Sequence, residues 1–537
     1  MSEVNKSFLI ICLAICLGLF AGPSRRVDCA APNLRKTACS GNDYSLTRHL
    51  RHAVASSPAN QPELPRDLVV VQASEIRPSP LTSRFPQGSQ LARLAMGTAN
   101  PSSLTPGFFA AADPRVSFDG TRVLFAGKKD ADSFWQIWEL RFDGTGARQV
   151  THCKGDCVQP SYLPRGQTVY TAVQSVHPRA PGGTAVHISQ APPGMAAGAG
   201  NYSQIWVSNL DGTDAHPITF GPGDFQVETI LTNGMILATA RWPLVSTSGL
   251  PADRELYVLR PDGTGLATLR CDHQHPAIRS QAREMDDGAV VFVKTSLASH
   301  NPIGSLFWLR RGALQDAPLA ASAVLASDPQ PVGPGQLVVT LDPPRGSTMS
   351  GQPKLTFIDT ATGAMRSALD EDPKLATVQA VPVASHEPPR WYWSTLNPAL
   401  QRGYFVCLNS YLADGVPHGR ITAKLKRVRI LSLDNATQRE SALGEAPVEE
   451  DGSFYVAVPP DKPVRFEVLD TAGRVLRAQR SWIWARSGEE HGCVGCHEDR
   501  AVAPENRWPM ALRRFDTPIR LDLKASTPGG IASRQSQ

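Results

Sequence analysis

The sequence predicts an all-β protein: a five- to six-bladed β-propeller, then a small antiparallel β-sandwich, then a short C-terminal segment. Three observations lead there. A strand–turn–strand unit punctuated by Asp-Gly returns at a period of about 45–60 residues. Around Trp391 the pattern changes, and beyond residue 400 a second set of strands begins, among which Pro463–Asp470 alternates strictly between apolar and polar positions. Finally, 43 Gly and 45 Pro in 537 residues supply the turns that many short strands need. With 41% hydrophobic and 19% charged residues, the chain is globular and long enough for two or three domains. A net charge of +5, with the basic residues scattered, speaks against a nucleic-acid partner.

Residues 1–22 read as a signal peptide. Lys6 precedes an apolar run from Phe8 to Ala21. At about 14 residues this run matches a secretory hydrophobic region and falls short of the roughly 20 residues that span a bilayer. Ala21 and Gly22 suit cleavage, and an uncleaved anchor is the alternative. No other segment reads as a membrane span, so the expected location is periplasmic or secreted. Export agrees with the cysteines. Cys29, Cys39, Cys153, Cys157, Cys271 and Cys407 form an even set able to pair in an oxidising compartment. Cys153-Lys154-Gly155-Asp156-Cys157 is short enough to close on itself.

Residues 23–65 read as irregular. Arg66–Gln72 is β-branched and bounded by Pro, so it predicts a strand that could complete the last blade and close the ring; 78–106 reads as loop or weak helix. The propeller is assigned to 66–395. Its first unit runs from Pro114 through Asp119-Gly120 to Ala126, then Gln136–Leu140, Asp143-Gly144-Thr145 and Arg148–Thr151. The second has Gln159–Gly166, Val169–Ala172, Gln204–Val207, Asp211-Gly212-Thr213 and Pro217–Thr219. The third has Met235–Ala238, Glu255–Leu259, Asp262-Gly263-Thr264 and Leu266–Leu269. A fourth is visible in Asp286–Phe292 and Leu306–Leu309, and a fifth in Gln336–Thr340 and Lys354–Ile358. A four-stranded sheet cannot cover both its faces alone, so such units stack around an axis. A β-sandwich with coincidental turns is the alternative.

The second region, 400–486, contains Tyr404–Tyr411, Ala423–Leu431, Glu450–Pro459, Pro463–Asp470 and Val475–Arg477, and predicts a sandwich of about 80–90 residues. Ser481-Trp482-Ile483-Trp484-Ala485 is read as its last strand. Segment 487–525 follows, and 526–537 reads as a disordered tail.

Segment 487–525 holds Cys493-Val494-Gly495-Cys496-His497. Two thiols at this spacing reach the two vinyl groups of one porphyrin, and the next residue supplies an imidazole beneath the iron. A chain with 10 Cys and 13 His acquires the pattern by chance roughly once in 200 cases, so it points to one covalent haem c. In that reading Cys493 and Cys496 form the thioethers and His497 is the proximal iron ligand. Half a zinc site, a redox pair and a plain disulfide are the alternatives, the first needing two further ligands such as Cys153 and Cys157. Met510 is the candidate distal ligand, with His491 second and packing as the alternative role for Met510.

The repeat resembles the TolB-type six-bladed propeller family in Ser117-Phe118-Asp119-Gly120, Ile137-Trp138 and the Asp-Gly-Thr turns. The C-terminal part resembles the hydrazine synthase alpha subunit middle-domain family. That likeness rests on Lys426–Arg429, Glu450–Val456, Pro463–Phe466, Trp482-Ile483-Trp484 and Gly492–Glu498. Together the two likenesses cover most of 113–520. They imply an exported c-type haem protein with the roles just given to Cys493, Cys496 and His497. Hydrazine synthase uses several haem sites and partner subunits, whereas this chain has one such motif.

Asp272-His273-Gln274-His275 could chelate a metal but reads better as a surface loop. Glu449-Glu450-Asp451 reads as a solvated turn. Trp391, Trp393, Trp482 and Trp484 are expected at the joint between domains, or near a porphyrin edge. Three functions compete. The first is a mono-haem cytochrome-like protein passing electrons to a redox partner. The second is a haem-dependent oxidoreductase of small nitrogen or oxygen species, entered through the propeller funnel. The third is a propeller binding module whose tail motif holds zinc or a disulfide.

Overall fold

The computed structural model describes residues 65–77, 81–96, 101–174, 202–242, 253–270, 276–297, 302–310, 312–313, 315–321, 324–342, 353–368, 375–413, 419–434, 439–479, 481–495 and 507–522. The signal segment, most of 23–65, the Asp272–His275 loop, Cys496, His497 and the 526–537 tail lie outside them.

Six four-stranded blades make the propeller. Blade 2, for example, is Ala110–Val116, Arg122–Lys128, Gln136–Arg141 and Arg148–Gln149, in that order from the axis outwards. Blades 4 and 5 share one eight-stranded sheet only because Arg254 and Ile278 form a single parallel pair between them. Blade 1 joins both ends of the domain. Asp67–Ala73 pairs antiparallel with Ala376–Pro382, so the early strand closes the ring against the last one. The stretch read as loop or weak helix supplies the two outer strands of this blade, Gln90–Ala95 and Ser102–Ser103. Its strands are too short, and too interrupted by polar residues, to announce themselves by periodicity.

Local chemistry sets the repeat. In each Asp-Gly-Thr turn the aspartate accepts the threonine N–H two residues on: Asp143 from Thr145 at 2.8 Å, Asp211 from Thr213 at 3.0 Å and Asp262 from Thr264 at 3.0 Å. These are Asx turns, which glycine permits by taking positive φ. On the axial side, the innermost strands share a second device. Asp113, Gln159, Gln281, Asp328 and Gln379 all adopt left-handed φ of 51–57°, each at a break in register with the neighbouring strand. Glu228 occupies the corresponding bulge of blade 4. A bulge turns an extra side chain off the ladder, and here it turns all six towards the central channel.

The second module is a sandwich. One sheet is Arg439–Pro447, Leu425–Asp434, Val464–Asp470 and Val475–Ala478; the other is Glu490–Gly495, Gly403–Asn409, Phe454–Val458 and Ile519–Arg520. Phe405, Phe454 and Phe466 meet in its core, with Phe405 and Phe466 edge-on at 5.2 Å. The two edge pairs of the second sheet are parallel, and both outer strands come from the segment after Trp484. Ser481–Ala485 is not a strand: only Ile483 bridges back, to Val464. The two tryptophans there are spent on packing. Trp482 lies under the Arg465 guanidinium, and Trp484 enters the propeller core beside Ile205, Phe225 and Ile236.

Trp484 marks the joint. It is 1% exposed, sits edge-on to Phe220 and Phe225, and its Nε1–H donates to the Gly263 carbonyl at 3.2 Å. The blade 4 turn Asp262–Gly265 is gripped from several sides. Arg486 donates to the Asp262 carbonyl, Ser394 to its carboxylate at 3.0 Å, and Gly265 N–H donates to Glu489 at 2.7 Å. Gly263, at φ +81°, leaves no room for a Cβ, which would lie 2.5 Å from the Ile218 carbonyl and from Arg486. Trp391 and Trp393 instead flank Arg165, and Trp393 is 71% exposed.

Candidate haem c site

The strand Glu490–Gly495 lies at a sheet edge, parallel to Gly403–Asn409, in the register Phe405–His491, Cys407–Cys493 and Asn409–Gly495. Side chains in register on a parallel pair share a face. His491 and Cys493 therefore lean towards the sandwich interior with Phe405 and Cys407. The His491 ring is 5.5 Å from the Phe405 ring, and Cys493 is half-buried against the same core while Cys407 is fully buried. Cys496 and His497 follow directly but lie outside the described residues, so one of the three motif side chains is placed.

The chain returns at Arg507, at the same end of the sheet. Asp451, expected in a solvated turn, is instead buried and anchors the return. Its carboxylate accepts the Met510 N–H at 2.8 Å, and the Ser453 N–H and hydroxyl at 2.9 and 2.6 Å. Ser453 in turn accepts the Ala511 N–H at 2.9 Å. Burial disfavours the charged form of Asp451, but the bonds from Ser453 and Met510 outweigh it and hold the carboxyl below its ordinary value. The turn is tight against the sheet: at Gly452 (φ +84°) a Cβ would lie 2.5 Å from Asn409 Oδ1. Asn409 is the register partner of Gly495, so the turn that holds Met510 packs against the sheet at the Gly495 end of the edge pair.

The residues present suit a covalent haem. A half-exposed thiol stands at an open edge. The returning segment carries apolar side chains in water: Trp508 at 64% exposure, Met510 at 36% and Phe515 fully exposed. Apolar side chains left in water on one short segment are the kind of surface that suits an apolar partner. The Met510 side chain is not packed in a core. On the other side of the strand, Glu489–Gly492 faces Arg260, Gly265–Ala267 and Thr395 of blade 4 and the linker across an open groove of about 410 Å³. His491 Nδ1 stands 3.9 Å from Glu489 there.

Cys153 and Cys157 are joined by a disulfide, so neither completes a zinc site with the tail motif. Among the described residues no group of three or more His, Cys, Asp or Glu side chains could hold a metal ion, and no helix is long and apolar enough to cross a membrane. Sequence reasoning missed Asp451 and Ser453 as the anchor, although Asp-Gly-Ser followed by a strand is the signal of an Asx turn. It also missed the six axial residues, whose signal is the recurrent Asp-Pro or Gln-Pro at 113, 159 and 328.

Residues 417–498 match the family described as the hydrazine synthase alpha subunit middle domain. Hydrazine synthase subunit alpha from Kuenenia stuttgartiensis is 38% identical over 82 residues, which is 15% of this chain and a tenth of that protein's length (10%). The structure of Kuenenia stuttgartiensis hydrazine synthase superposes with a TM-score of 0.71 at 19% identity, over 84% of this chain and 72% of that one, and so shares the fold. TolB from Acinetobacter baumannii matches at a TM-score of 0.40 and 12% identity, over 58% and 65% of the two chains.

Proposed function

We propose that this chain is an exported, haem c-dependent oxidoreductase of small nitrogen or oxygen species that works with a protein redox partner. Cys493 and Cys496 would form the thioethers and His497 would be the proximal ligand. The observation that carries the reading is the match of residues 417–498, which include the attachment motif, to the hydrazine synthase alpha middle domain. Bound haem supplies an iron centre for electron transfer and ligand activation. The chain's own groups suit small polar substrates: His491 can hold and pass a proton, Glu489 fixes the groove wall beside it, and Arg260 lends the groove positive charge. A second reading, electron transfer through a six-coordinate haem, is favoured by the exposed Met510 pinned near the motif.

Spectroscopy of protein matured in a host with cytochrome assembly machinery separates the two. A five-coordinate, high-spin ferric spectrum that shifts on adding nitric oxide or cyanide is expected. A six-coordinate, low-spin spectrum that becomes high-spin only in Met510→Ala would select electron transfer. Absence of a pyridine haemochrome would remove both.

A further inference from the structure

The propeller axis holds a polar cavity of about 50 Å³, apart from the haem segment, in which three guanidiniums and three carboxylates meet. The carboxylates are committed to the fold. Asp328 takes two bonds from Arg84, at 3.0 and 2.7 Å. Asp113 accepts the Gln379 amide at 2.8 Å and the Gln159 N–H at 3.1 Å. Glu228 accepts Thr239 at 3.2 Å and the Ala282 N–H at 3.0 Å, with Arg283 at 3.7 Å.

The guanidiniums are less well served. Arg115 rests on two carbonyls, of Pro114 at 3.0 Å and Glu228 at 3.2 Å, and has no carboxylate within ion-pair distance among the described residues. Arg283 crowds the same Glu228 carbonyl at 2.6 Å. Arg84, nine-tenths buried and lining the cavity, leaves its Nε–H without a partner. Burial, then the charge of Arg283, push Arg115 down to about 9 against the pull of Asp113, Glu228 and Asp328. Burial also pushes the Glu228 carboxyl up despite Arg283, and pushes the Arg283 guanidinium down despite Glu228, so charges of both signs are poorly solvated here. Two like charges converging on one carbonyl, beside an orphaned donor, form an arrangement that an anion relaxes. A cation is less well placed, because every oxygen of these three carboxylates already accepts a hydrogen bond from the fold.

We propose that the central channel binds a small oxyanion or carboxylate of about three or four heavy atoms, gripped between Arg115 and Arg283 with Arg84 as a third donor. Its size follows from the cavity volume of about 50 Å³, room for a ligand of a few heavy atoms.

The test titrates formate and nitrate into the full-length holo-protein by calorimetry at constant ionic strength, balanced with gluconate, which is too large to enter. The haem absorbance is followed in the same samples. Saturable one-to-one binding that leaves the haem spectrum unchanged is expected, weakened at least tenfold in Arg115→Gln and less in Arg115→Lys. No saturable heat with either probe, or equal affinity in Arg115→Gln, overturns the proposal. Should Arg115→Gln not fold, crystals of the unaltered protein soaked in bromide decide. An anomalous peak beside Arg115 and Arg283 supports the site, and ordered water alone in the channel refutes it.

Discussion

Replacing Trp484 with alanine should uncouple the two modules. The side chain is 1% exposed and belongs to the propeller core cluster, although it is delivered by the linker that leads into the haem strand. Truncating a buried tryptophan costs about 3–5 kcal/mol. The edge-on contacts with Phe220 at 5.9 Å and Phe225 at 5.5 Å place this site towards the upper end of that range. Losing the bond to the Gly263 carbonyl adds about 1 kcal/mol. A deficit of about 5–6 kcal/mol is about four powers of ten in the docking equilibrium. Urea unfolding followed by far-ultraviolet circular dichroism should change from one transition to two, with the sandwich going first. Trp484→Phe keeps both ring contacts and should lose about 1–2 kcal/mol. Trp393→Ala, at a site 71% exposed under Arg165, should lose less than about 1 kcal/mol. The reasoning fails if Trp484→Ala stays within about 1 kcal/mol of the parent, or if Trp484→Phe costs as much as Trp484→Ala.

Three further outcomes are expected. Cys493→Ala and Cys496→Ala should each leave one thioether, and the double variant none; haem staining of denaturing gels and intact mass would show it, and undiminished covalent haem in the double variant would contradict the assignment. Asp451→Asn should destabilise the returning segment by about 2 kcal/mol at neutral pH. Because the folded carboxyl lies below its ordinary value of 3.8, that difference should be full above that value and shrink as pH falls through the folded pKa, a trend readable from urea midpoints across pH 3–7. Cys153→Ser with Cys157→Ser removes a cross-link closing a very short loop, worth about 2 kcal/mol by loop entropy; an equal loss in the parent under reductant confirms the origin, and no loss in either shows that the loop is held by other bonds.

The propeller was legible because its signal is local and repeated. Asp-Gly-Thr turns, two-residue alternation and a fixed period each need only neighbouring residues, as Asp143, Asp211 and Asp262 illustrate. Blade 1 was harder: its strands come from opposite ends of the domain, so no single stretch contains it, although Leu68–Gln72 betrayed the closing strand. The attachment motif was legible as chemistry and silent as geometry. Its spacing suggests a chemistry, yet nothing in it says that Cys493 lies in register with Cys407, or that Asp451 would be drawn out of water to pin Met510. The axial ring was invisible for a different reason. Asp113 and Gln379 are 266 positions apart, and their bond exists only once six blades have closed.

Closure and docking also shape the surroundings of the strand Glu490–Gly495. The groove beside His491 has one wall from blade 4, Arg260 and Gly265–Ala267, and one from the strand, Glu489–Gly492. Neither module builds it alone. Glu489 fixes the relation of the walls by accepting Gly265 N–H with one carboxylate oxygen and Arg486 N–H with the other, both at 2.7 Å. A carboxylate held by two main-chain donors from opposite sides of a joint is a poor general base and a good strut. It stands 3.9 Å from His491 Nδ1. The propeller therefore contributes more than a platform. Through one turn of blade 4 it sets the position of Glu489 beside the strand Glu490–Gly495, and any chemistry at that strand inherits the rigidity of the joint.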